Sequence, residues 1–225
     1  MTYRSIAMDG PSGAGKSTLA RALAARLGFL YVDTGAIYRT VGLYTARQGG
    51  DCGRKEDVVS RLPELRLSLA YGEDGLQHMF LQGEDVTEAI RDNAVSRYAS
   101  QVSAYPEVRA FLLEMQRELA RTHNVIMDGR DIGTVVLPKA TVKIFLTATP
   151  EVRAKRRTDE LIAKGQKADY NKILKDIQQR DYQDTHREIA PLKMARDSIK
   201  LDTSELDIDG VIAAMKEIIA RKVTL

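Results

Sequence analysis

The sequence predicts an α/β protein built on a parallel, doubly wound sheet. Short apolar runs alternate along the chain with stretches of helical periodicity, a pattern typical of parallel strands joined by helices. A glycine-rich stretch stands between the first apolar run and the first helical stretch, as in nucleotide-binding α/β folds. With 225 residues, 44% of them apolar, the chain is long enough for one such domain with insertions.

The first half of the sheet is predicted from residues 4–48. "RSIAMD" (4–9) is a strand, and "FLYVD" (29–33) is the next. Between them, leucines at four-residue spacing predict a helix with one buried stripe, and Gly28 is placed to end it: Leu19, Leu23, Leu27. A second helix is predicted from near Thr34 toward Gln48.

Three further apolar runs complete the predicted sheet: "NVIMD" (124–128), "VKIFLTA" (142–148) and the weaker "SIKLDT" (198–203). The apolar helix at 106–121 is interpreted as core. Two segments interrupt the pattern. Residues 65–92 contain two alternating runs around a Gly/Asp turn and predict an antiparallel hairpin, and residues 150–190 open with Pro150 at a helix start and are rich in charge.

Composition excludes several classes of protein. No apolar run approaches the roughly 18 residues that span a bilayer, and "MTYRSIAMDG" lacks the apolar region of a secretory signal, so a cytoplasmic location is expected. The single cysteine, Cys52, cannot form an intramolecular disulfide, and the three histidines lack metal-ligand spacing. The formal charge of +3 is too small for a nucleic-acid binder, although residues 151–200 hold 13 Lys/Arg against 9 Asp/Glu.

The stretch "MDGPSGAGKST" (8–18) fits the phosphate-loop pattern G-x-x-x-x-G-K-[ST] in the required context of a strand before and a helix after. Glycines let backbone N–H groups converge on phosphates at a helix N-terminus. Lys16 is expected near the β and γ phosphates, and Ser17 is expected to hold Mg²⁺ through the nucleotide. The predicted ATP- or GTP-binding residues are Gly10, Pro11, Ser12, Gly13, Ala14, Gly15, Lys16, Ser17 and Thr18.

The sequence contains no N-K-x-D motif, so a GTPase switch is not favoured. The remaining interpretation is transfer of the γ-phosphate to a small acceptor. "DTGAIYR" (33–39) follows the second strand and "DGRDIGTVV" (128–136) follows the third. Parallel strands end at one sheet edge, where such folds bind ligands, so these groups are expected beside the phosphate loop. Asp128 ends an apolar strand as a Walker B acid does; anchoring of Mg²⁺ through water and a structural turn both remain open.

With these motifs the sequence resembles the bacterial cytidylate kinases, P-loop nucleoside monophosphate kinases, over nearly its whole length. "LQGEDVTEAIR", "SQVSAYPEVR" and "RDYQDTHREIAPL" extend the resemblance. It implies an ATP-dependent kinase that makes CDP or dCDP from CMP or dCMP with Mg²⁺. The implied fold is a P-loop kinase fold, with a five-stranded parallel sheet flanked by helices. One domain, 1–225, would carry a monophosphate-binding insertion (about 35–105, with a small antiparallel sheet) and a helical lid (about 150–190).

The resemblance also assigns residues to CMP. It points Ser100, Arg109 and Asp131 toward the cytosine edge and gives the sugar to Arg180, Asp184 and Arg187, which recur at four and three residues. Asp33 and Thr34 are assigned to CMP as well; Thr34 stands where some members have Ser. A continuous helix would present the Arg180–Asp184–Arg187 group together, and a local salt-bridge ladder is the alternative.

The chemistry of the residues agrees with phosphoryl transfer. A monophosphate has a second pKa near 6, so its attacking oxygen is ionised and the reaction needs cations rather than a general base. Arg39 and Arg130 are candidates for the acceptor phosphate, and Arg153 and Arg157 share one helical face and are candidates for the transferring phosphoryl. Solvated surface arginines are the alternative for all four.

Two other functions remain open at this point. The chain is alternatively a kinase of the same fold acting on another monophosphate or a small alcohol. It is less well explained as a nucleotide-gated RNA-binding module, because only Tyr170 and Tyr182 lie among the basic residues of 151–200. Small-molecule substrates, no nucleic-acid or membrane partner and a monomeric state are therefore expected.

Overall fold

A computed structural model describes residues 3–73 and 75–222, apart from the side chain of Asn93. Its strands are β1 (Ser5–Asp9), β2 (Leu30–Asp33), β3 (Leu67–Tyr71), β4 (Gln77–Leu81), β5 (Glu84–Asp85), β6 (Val125–Gly129), β7 (Val142–Thr147) and β8 (Ile199–Asp202). Its α-helices are α1 (Lys16–Leu27), α2 (Thr34–Arg47), α3 (Lys55–Val59), α4 (Asn93–Val102), α5 (Pro106–Thr122), α6 (Pro150–Ala163), α7 (Tyr170–His186) and α8 (Ile208–Lys222).

Five strands form a parallel sheet in the order β2-β6-β1-β7-β8. β1 is central, and Asp9 at its end lies opposite Gly129 of β6 and Phe145 of β7. β1 and β6 are almost fully buried, as expected for parallel strands covered on both faces. The predicted five-stranded parallel sheet is confirmed, and its carboxyl edge gathers the segments that follow β1, β2 and β6.

Two apolar layers cover the sheet. On one face, α1 and α8 pack against β1 and β7 through Leu23, Met215 and their neighbours. On the other face, α2 and α5 pack against β2 and β6 through Ile37 and Leu112. α5 is therefore core, as predicted, and it starts with Pro106 at the position where a missing N–H costs no hydrogen bond.

The ends of the first two helices follow local sequence rules. Gly28 ends α1 with φ 64°, a left-handed conformation that glycine adopts without strain. Asp33 caps α2, because its side chain accepts a hydrogen bond from the N–H of Ala36. The capping places Asp33 and Thr34 at the carboxyl end of β2, where the sheet edge lies.

The predicted hairpin is present as a small antiparallel sheet in the order β3-β4-β5, in which β5 adds a short strand that the sequence did not predict. Asp74 of the predicted turn lies outside the described residues. Residues 150–186 form the pair of helices α6 and α7, and α6 starts at Pro150 as predicted. α7 ends at His186, so Arg187 follows the helix in an extended conformation instead of continuing it.

Within residues 3–73 and 75–222, no helix combines the length and the apolar character needed to cross a membrane.

Candidate active site

The phosphate loop connects β1 to α1 at the carboxyl edge of the sheet. Gly10, Gly13 and Gly15 all have positive φ, of 153°, 75° and 85°. At Gly10 a Cβ atom would lie 1.9 Å from the carbonyl oxygen of Leu146, so only glycine fits between β1 and β7. At these three positions the loop therefore presents backbone without side chains beside the N-terminus of α1, which is an arrangement that binds phosphate.

Lys16 is the first residue of α1 and is buried. Its Nζ donates to the carbonyl oxygen of Pro11 at 2.7 Å, so the side chain folds back over its own loop. Burial, and next the positive charge of Arg130, lower the pKa of Lys16 from its usual value. A bound polyphosphate would oppose both effects, because its negative charge favours the ammonium form.

Ser17 and Asp128 lie together between α1 and the end of β6. The Ser17 hydroxyl donates to Asp128 Oδ2 at 2.8 Å, and the Tyr31 hydroxyl donates to Asp128 Oδ1 at 3.1 Å. Burial, and next the charge of Asp33, raise the pKa of Asp128. Among the described residues, no group of three or more His, Cys, Asp or Glu side chains forms a metal cage. A hydroxyl beside a carboxylate nevertheless fits Mg²⁺, which takes few protein ligands and keeps waters and phosphate oxygens.

The start of α2 holds Asp33, Thr34 and Arg39. Arg39 Nη2 donates to Asp33 Oδ2 at 2.8 Å, and the Thr34 hydroxyl donates to the carbonyl oxygen of Asp128 at 2.7 Å. Gln77 of the small sheet accepts from the N–H of Asp33. Nε of Arg39 is buried and has no hydrogen-bond partner among the described residues. The structure therefore leaves this donor of Arg39 unsatisfied by the described residues.

Arg130 follows β6 and reaches α7, where its Nε donates to Asp184 Oδ2 at 2.6 Å. Burial acts to raise the pKa of Asp184, but the charge and the hydrogen bond of Arg130 outweigh it and hold that pKa below its usual value. Arg180 lies on the same helix. Burial, and next the charges of Arg130 and Arg39, lower its pKa, and its Nε has no partner among the described residues. Arg39, Arg130 and Arg180, which come from three different elements, thus lie near one another.

A second cluster lies around Asp131, which is buried. Arg109 of α5 donates through Nη2 to Asp131 Oδ2 and through Nη1 to the carbonyl oxygen of Ser103 at 3.2 Å. Its guanidinium also lies 5.6 Å from the ring centre of Tyr38. Arg187 Nη2 lies 3.8 Å from Asp131 Oδ1, too far for a hydrogen bond. Two guanidinium groups therefore share one carboxylate.

Ser100 lies on α4, one turn before Ser103, whose hydroxyl donates to the carbonyl oxygen of Ser100. This places Ser100 on the segment that leads to Arg109.

The two arginines predicted on one face of α6 differ in their surroundings. Arg153 is buried, and its guanidinium donates to the carbonyl oxygen of Ser12 at 2.9 Å and to both oxygens of Asp181 at 3.0 and 2.5 Å. Arg157 is partly exposed and pairs with Glu160 on its own helix at 2.8 Å. The structure therefore brings Arg153, but not Arg157, against the phosphate loop.

Sequence reasoning missed two aspartates that hold this site together. Asp181 binds Arg153 from α7, and Asp9 accepts hydrogen bonds from the N–H groups of Ile132 and Gly133 at 2.7 Å each. Asp9 stands directly before Gly10, and its position at the end of an apolar strand was a signal like that of Asp128. Asp181 offered no comparable signal, because it is one of many charged residues between 151 and 200.

The family model described as cytidylate kinase matches residues 6–221. The chain is similar to the cytidylate kinase of Caldicellulosiruptor bescii, with 50% identity over 95% of this chain and 94% of that protein. It is also similar to that of Carboxydothermus hydrogenoformans, with 48% identity over 96% and 97%.

Among solved structures, an uncharacterized protein from Eubacterium ventriosum matches with a TM-score of 0.55 at 11% identity, over 96% of this chain and 98% of that one. This last likeness concerns the fold alone.

Proposed function

The chain belongs to the cytidylate kinase family, and we propose that it transfers the γ-phosphate of ATP to CMP or dCMP at the carboxyl edge of its parallel sheet. One observation carries the assignment of the acceptor site. Three guanidinium nitrogens around this edge are buried and have no hydrogen-bond partner among the described residues: Arg39 Nε, Arg180 Nε and Arg187 Nη2. Buried donors normally find a partner, so the cluster is suited to an anionic ligand.

The acceptor phosphate is assigned to Arg39 and Arg130, with Arg180 next to them. A monophosphate carries a charge of about −1.5 to −2 at neutral pH, and its attacking oxygen is already ionised. No residue has to remove a proton. The arginines instead offset repulsion between the acceptor and the donor and hold the attacking oxygen in line with the γ-phosphate.

The donor triphosphate is assigned to the phosphate loop, residues 10–18. Backbone N–H groups and the N-terminus of α1 would bind its oxygens, and Lys16 would place a positive charge beside the transferring group. Arg153 supports the loop through Ser12. Arg157 is assigned to the transferring phosphoryl only if closure of α6 and α7 over the loop turns it inward.

Mg²⁺ is proposed to lie beside Ser17, with Asp128 holding it through water. When bound with the nucleotide, the ion neutralises charge on the β and γ phosphates. Tyr31 contributes by donating to Asp128, and Asp128 accepts a hydrogen bond from the Ser17 hydroxyl. The described residues thus supply a hydroxyl and a carboxylate in contact, as such an ion requires.

The cytosine ring is assigned to Ser100, Arg109 and Asp131, and the sugar to Arg180, Asp184 and Arg187. Cytosine presents a donor at N4 beside an acceptor at N3, whereas uracil presents the reverse. A carboxylate beside a guanidinium matches the first pattern, and Asp131 and Arg109 are in contact in this structure. Asp33 and Thr34 are assigned to CMP as well.

Several expectations from the sequence are still predictions. Residues about 35–105 remain the proposed acceptor-binding insertion and residues about 150–190 the proposed lid of a single domain. A monomeric state, a cytoplasmic location and the absence of a nucleic-acid partner remain predictions too.

The test is phosphoryl transfer from ATP with Mg²⁺ across CMP, dCMP, UMP, AMP and dTMP. We expect kcat/KM for CMP or dCMP to exceed that for the other three by at least about tenfold, because a mismatched buried donor or acceptor costs roughly 1–3 kcal/mol. Preference for AMP or dTMP would contradict the assignment. Chelation of the metal with EDTA, reversed by excess Mg²⁺, tests the cofactor in the same assay.

A further inference from the structure

Asp9 is a buried carboxylate to which none of the roles above is assigned. It ends the central strand β1, directly before Gly10 of the phosphate loop, and is 3% exposed. Its Oδ1 accepts the N–H of Ile132 and its Oδ2 accepts the N–H of Gly133, both at 2.7 Å. Both oxygens are thus used to hold a segment that lies more than 120 residues further along the chain.

That segment begins at the end of β6. In the parallel register, Asp9 lies opposite Gly129, the last residue of β6. The chain leaves β6 at Gly129, opposite Asp9, and meets the Asp9 carboxylate again at Ile132, so Arg130 and Asp131 lie between two attachments to the same residue. These are the two residues assigned to the phosphate and the base of the acceptor.

The attachments leave little room for movement. A Cβ on Gly133 would lie 3.2 Å from Asp9 Oδ2, and a Cβ on Gly129 would lie 2.7 Å from the Ile132 side chain. Backbone and carboxylate therefore approach each other as closely as glycine permits. A shift of Ile132 or Gly133 would carry Arg130 and Asp131 with it, because only two residues separate the attachments.

We infer that Asp9 is a positioning residue for the acceptor: its two hydrogen bonds hold Arg130 and Asp131 at a set distance from the phosphate loop. The inference rests on the proposed function, because it assumes that these two residues bind the monophosphate. Asp9 contacts neither substrate in this account. It joins the donor loop, which starts at the next residue, to the segment that binds the acceptor.

Asp9→Asn tests the inference with little change in shape. An amide offers one oxygen acceptor, and its NH2 group would face an N–H donor, so Ile132 or Gly133 loses its partner. Losing such a charge-assisted hydrogen bond in a buried site is expected to raise KM for CMP about tenfold or more. KM for ATP should stay within about twofold, since the phosphate loop keeps its own glycines and Lys16. The ratio of kcat/KM for CMP over UMP should fall as Asp131 shifts.

Arg117→Met is the matched control. Arg117 holds the other end of the same segment by donating to the carbonyl oxygens of Val135 and Val136 at 3.0 and 3.1 Å. A merely structural effect of loosening the segment should appear in both variants. We expect Arg117→Met to lower the melting temperature while leaving both KM values and the CMP/UMP ratio unchanged.

An equal rise of KM for ATP and CMP in Asp9→Asn, or the same CMP effect in Arg117→Met, would overturn the inference. If Asp9→Asn does not fold, the inference is tested in the wild-type protein by amide hydrogen exchange of Ile132 and Gly133. CMP alone should slow both amides more than ATP alone does, because binding stabilises the segment it contacts; equal protection by ATP would overturn the inference. Failure of the wild-type protein to phosphorylate CMP would instead refute the proposed function.

Discussion

Replacing Asp131 by Asn removes one negative charge from the ion-pair cluster that Asp131 forms with Arg109 and Arg187. The carboxylate is 4% exposed and lies between Arg109, which donates to Oδ2, and Arg187, 3.8 Å from Oδ1. Asn keeps the shape and one acceptor oxygen. It removes the carboxylate that lies between the Arg109 and Arg187 guanidinium groups.

The expected loss of stability follows from that burial. Breaking a buried ion pair by removing one partner costs about 3–5 kcal/mol, and we take about 3 because the amide oxygen still accepts from Arg109. For a chain of this size, 1 kcal/mol shifts the melting temperature by roughly 2–4 °C. Asp131→Asn should therefore melt about 6–12 °C below the wild-type protein.

The expected change in base selectivity follows from the donor pattern of the new side chain. An Asn amide can donate to O4 of uracil, whereas the Asp carboxylate can only accept from N4 of cytosine. We expect kcat/KM for CMP to fall by about tenfold to hundredfold, while the value for UMP falls less. The ratio of kcat/KM for CMP to kcat/KM for UMP should therefore fall.

Thermal unfolding by circular dichroism and steady-state kinetics with CMP and UMP at saturating ATP measure both effects. Glu217→Gln is the control, because its pair with Arg221 on α8 is exposed and such pairs are worth at most about 1 kcal/mol. An unchanged CMP/UMP ratio in a folded Asp131→Asn protein would refute the assignment of the base. An unchanged melting temperature would refute the structural argument about Arg109 and Arg187.

Three further changes test other parts of the site. Lys16→Met should lower kcat by about 10²-fold or more at saturating ATP and Mg²⁺ without lowering the melting temperature, since it removes a buried charge; near-normal turnover would contradict the role. Asp181→Asn should raise Kd for ATP more than Kd for CMP, because Arg153 loses the partner that holds it against Ser12; titration calorimetry with each nucleotide checks this. Burial raises the pKa of Asp9 to about 6, above the unfolded value near 3.9, so the native state binds this proton more tightly. The contribution of Asp9 to the free energy of unfolding should therefore rise as pH falls from about 6 to about 4. Urea unfolding at pH 7 and 4.5 checks this: the free energy of unfolding of the wild-type protein minus that of Asp9→Asn should be larger at pH 4.5.

The parallel sheet was predictable because its signals are local. A buried strand such as "NVIMD" is apolar throughout, and Gly28 ends α1 with a positive φ that other residues rarely adopt. Glycine at position 10 has two separate reasons. Its place in the motif follows from phosphate binding, but the structure adds that a side chain would collide with Leu146, which lies on another strand.

The pairing of side chains in the site was not predictable in the same way. A continuous helix would have presented Arg180, Asp184 and Arg187 together, but α7 ends at His186, and Arg187 donates to the carbonyl oxygen of Ala190 beyond the helix. Asp9 and Asp181 have partners on other elements, and no spacing in the sequence encodes a contact between a strand end and a distant turn. Such contacts follow from how the elements pack, not from their individual periodicities.

The arginine–aspartate pairs of the site explain how it holds so many cations before a substrate arrives. Arg39, Arg109, Arg130 and Arg153 each bind an aspartate, at sequence separations of 6, 22, 54 and 28 residues. Without these carboxylates the guanidinium groups would repel one another across a buried site. The pairing is nevertheless incomplete, since Arg39, Arg180 and Arg187 each keep a buried nitrogen without a hydrogen-bond partner among the described residues. A nucleotide phosphate or sugar can therefore add hydrogen bonds to the existing pairs and does not have to break them, which lowers the cost of binding in a site already held in place.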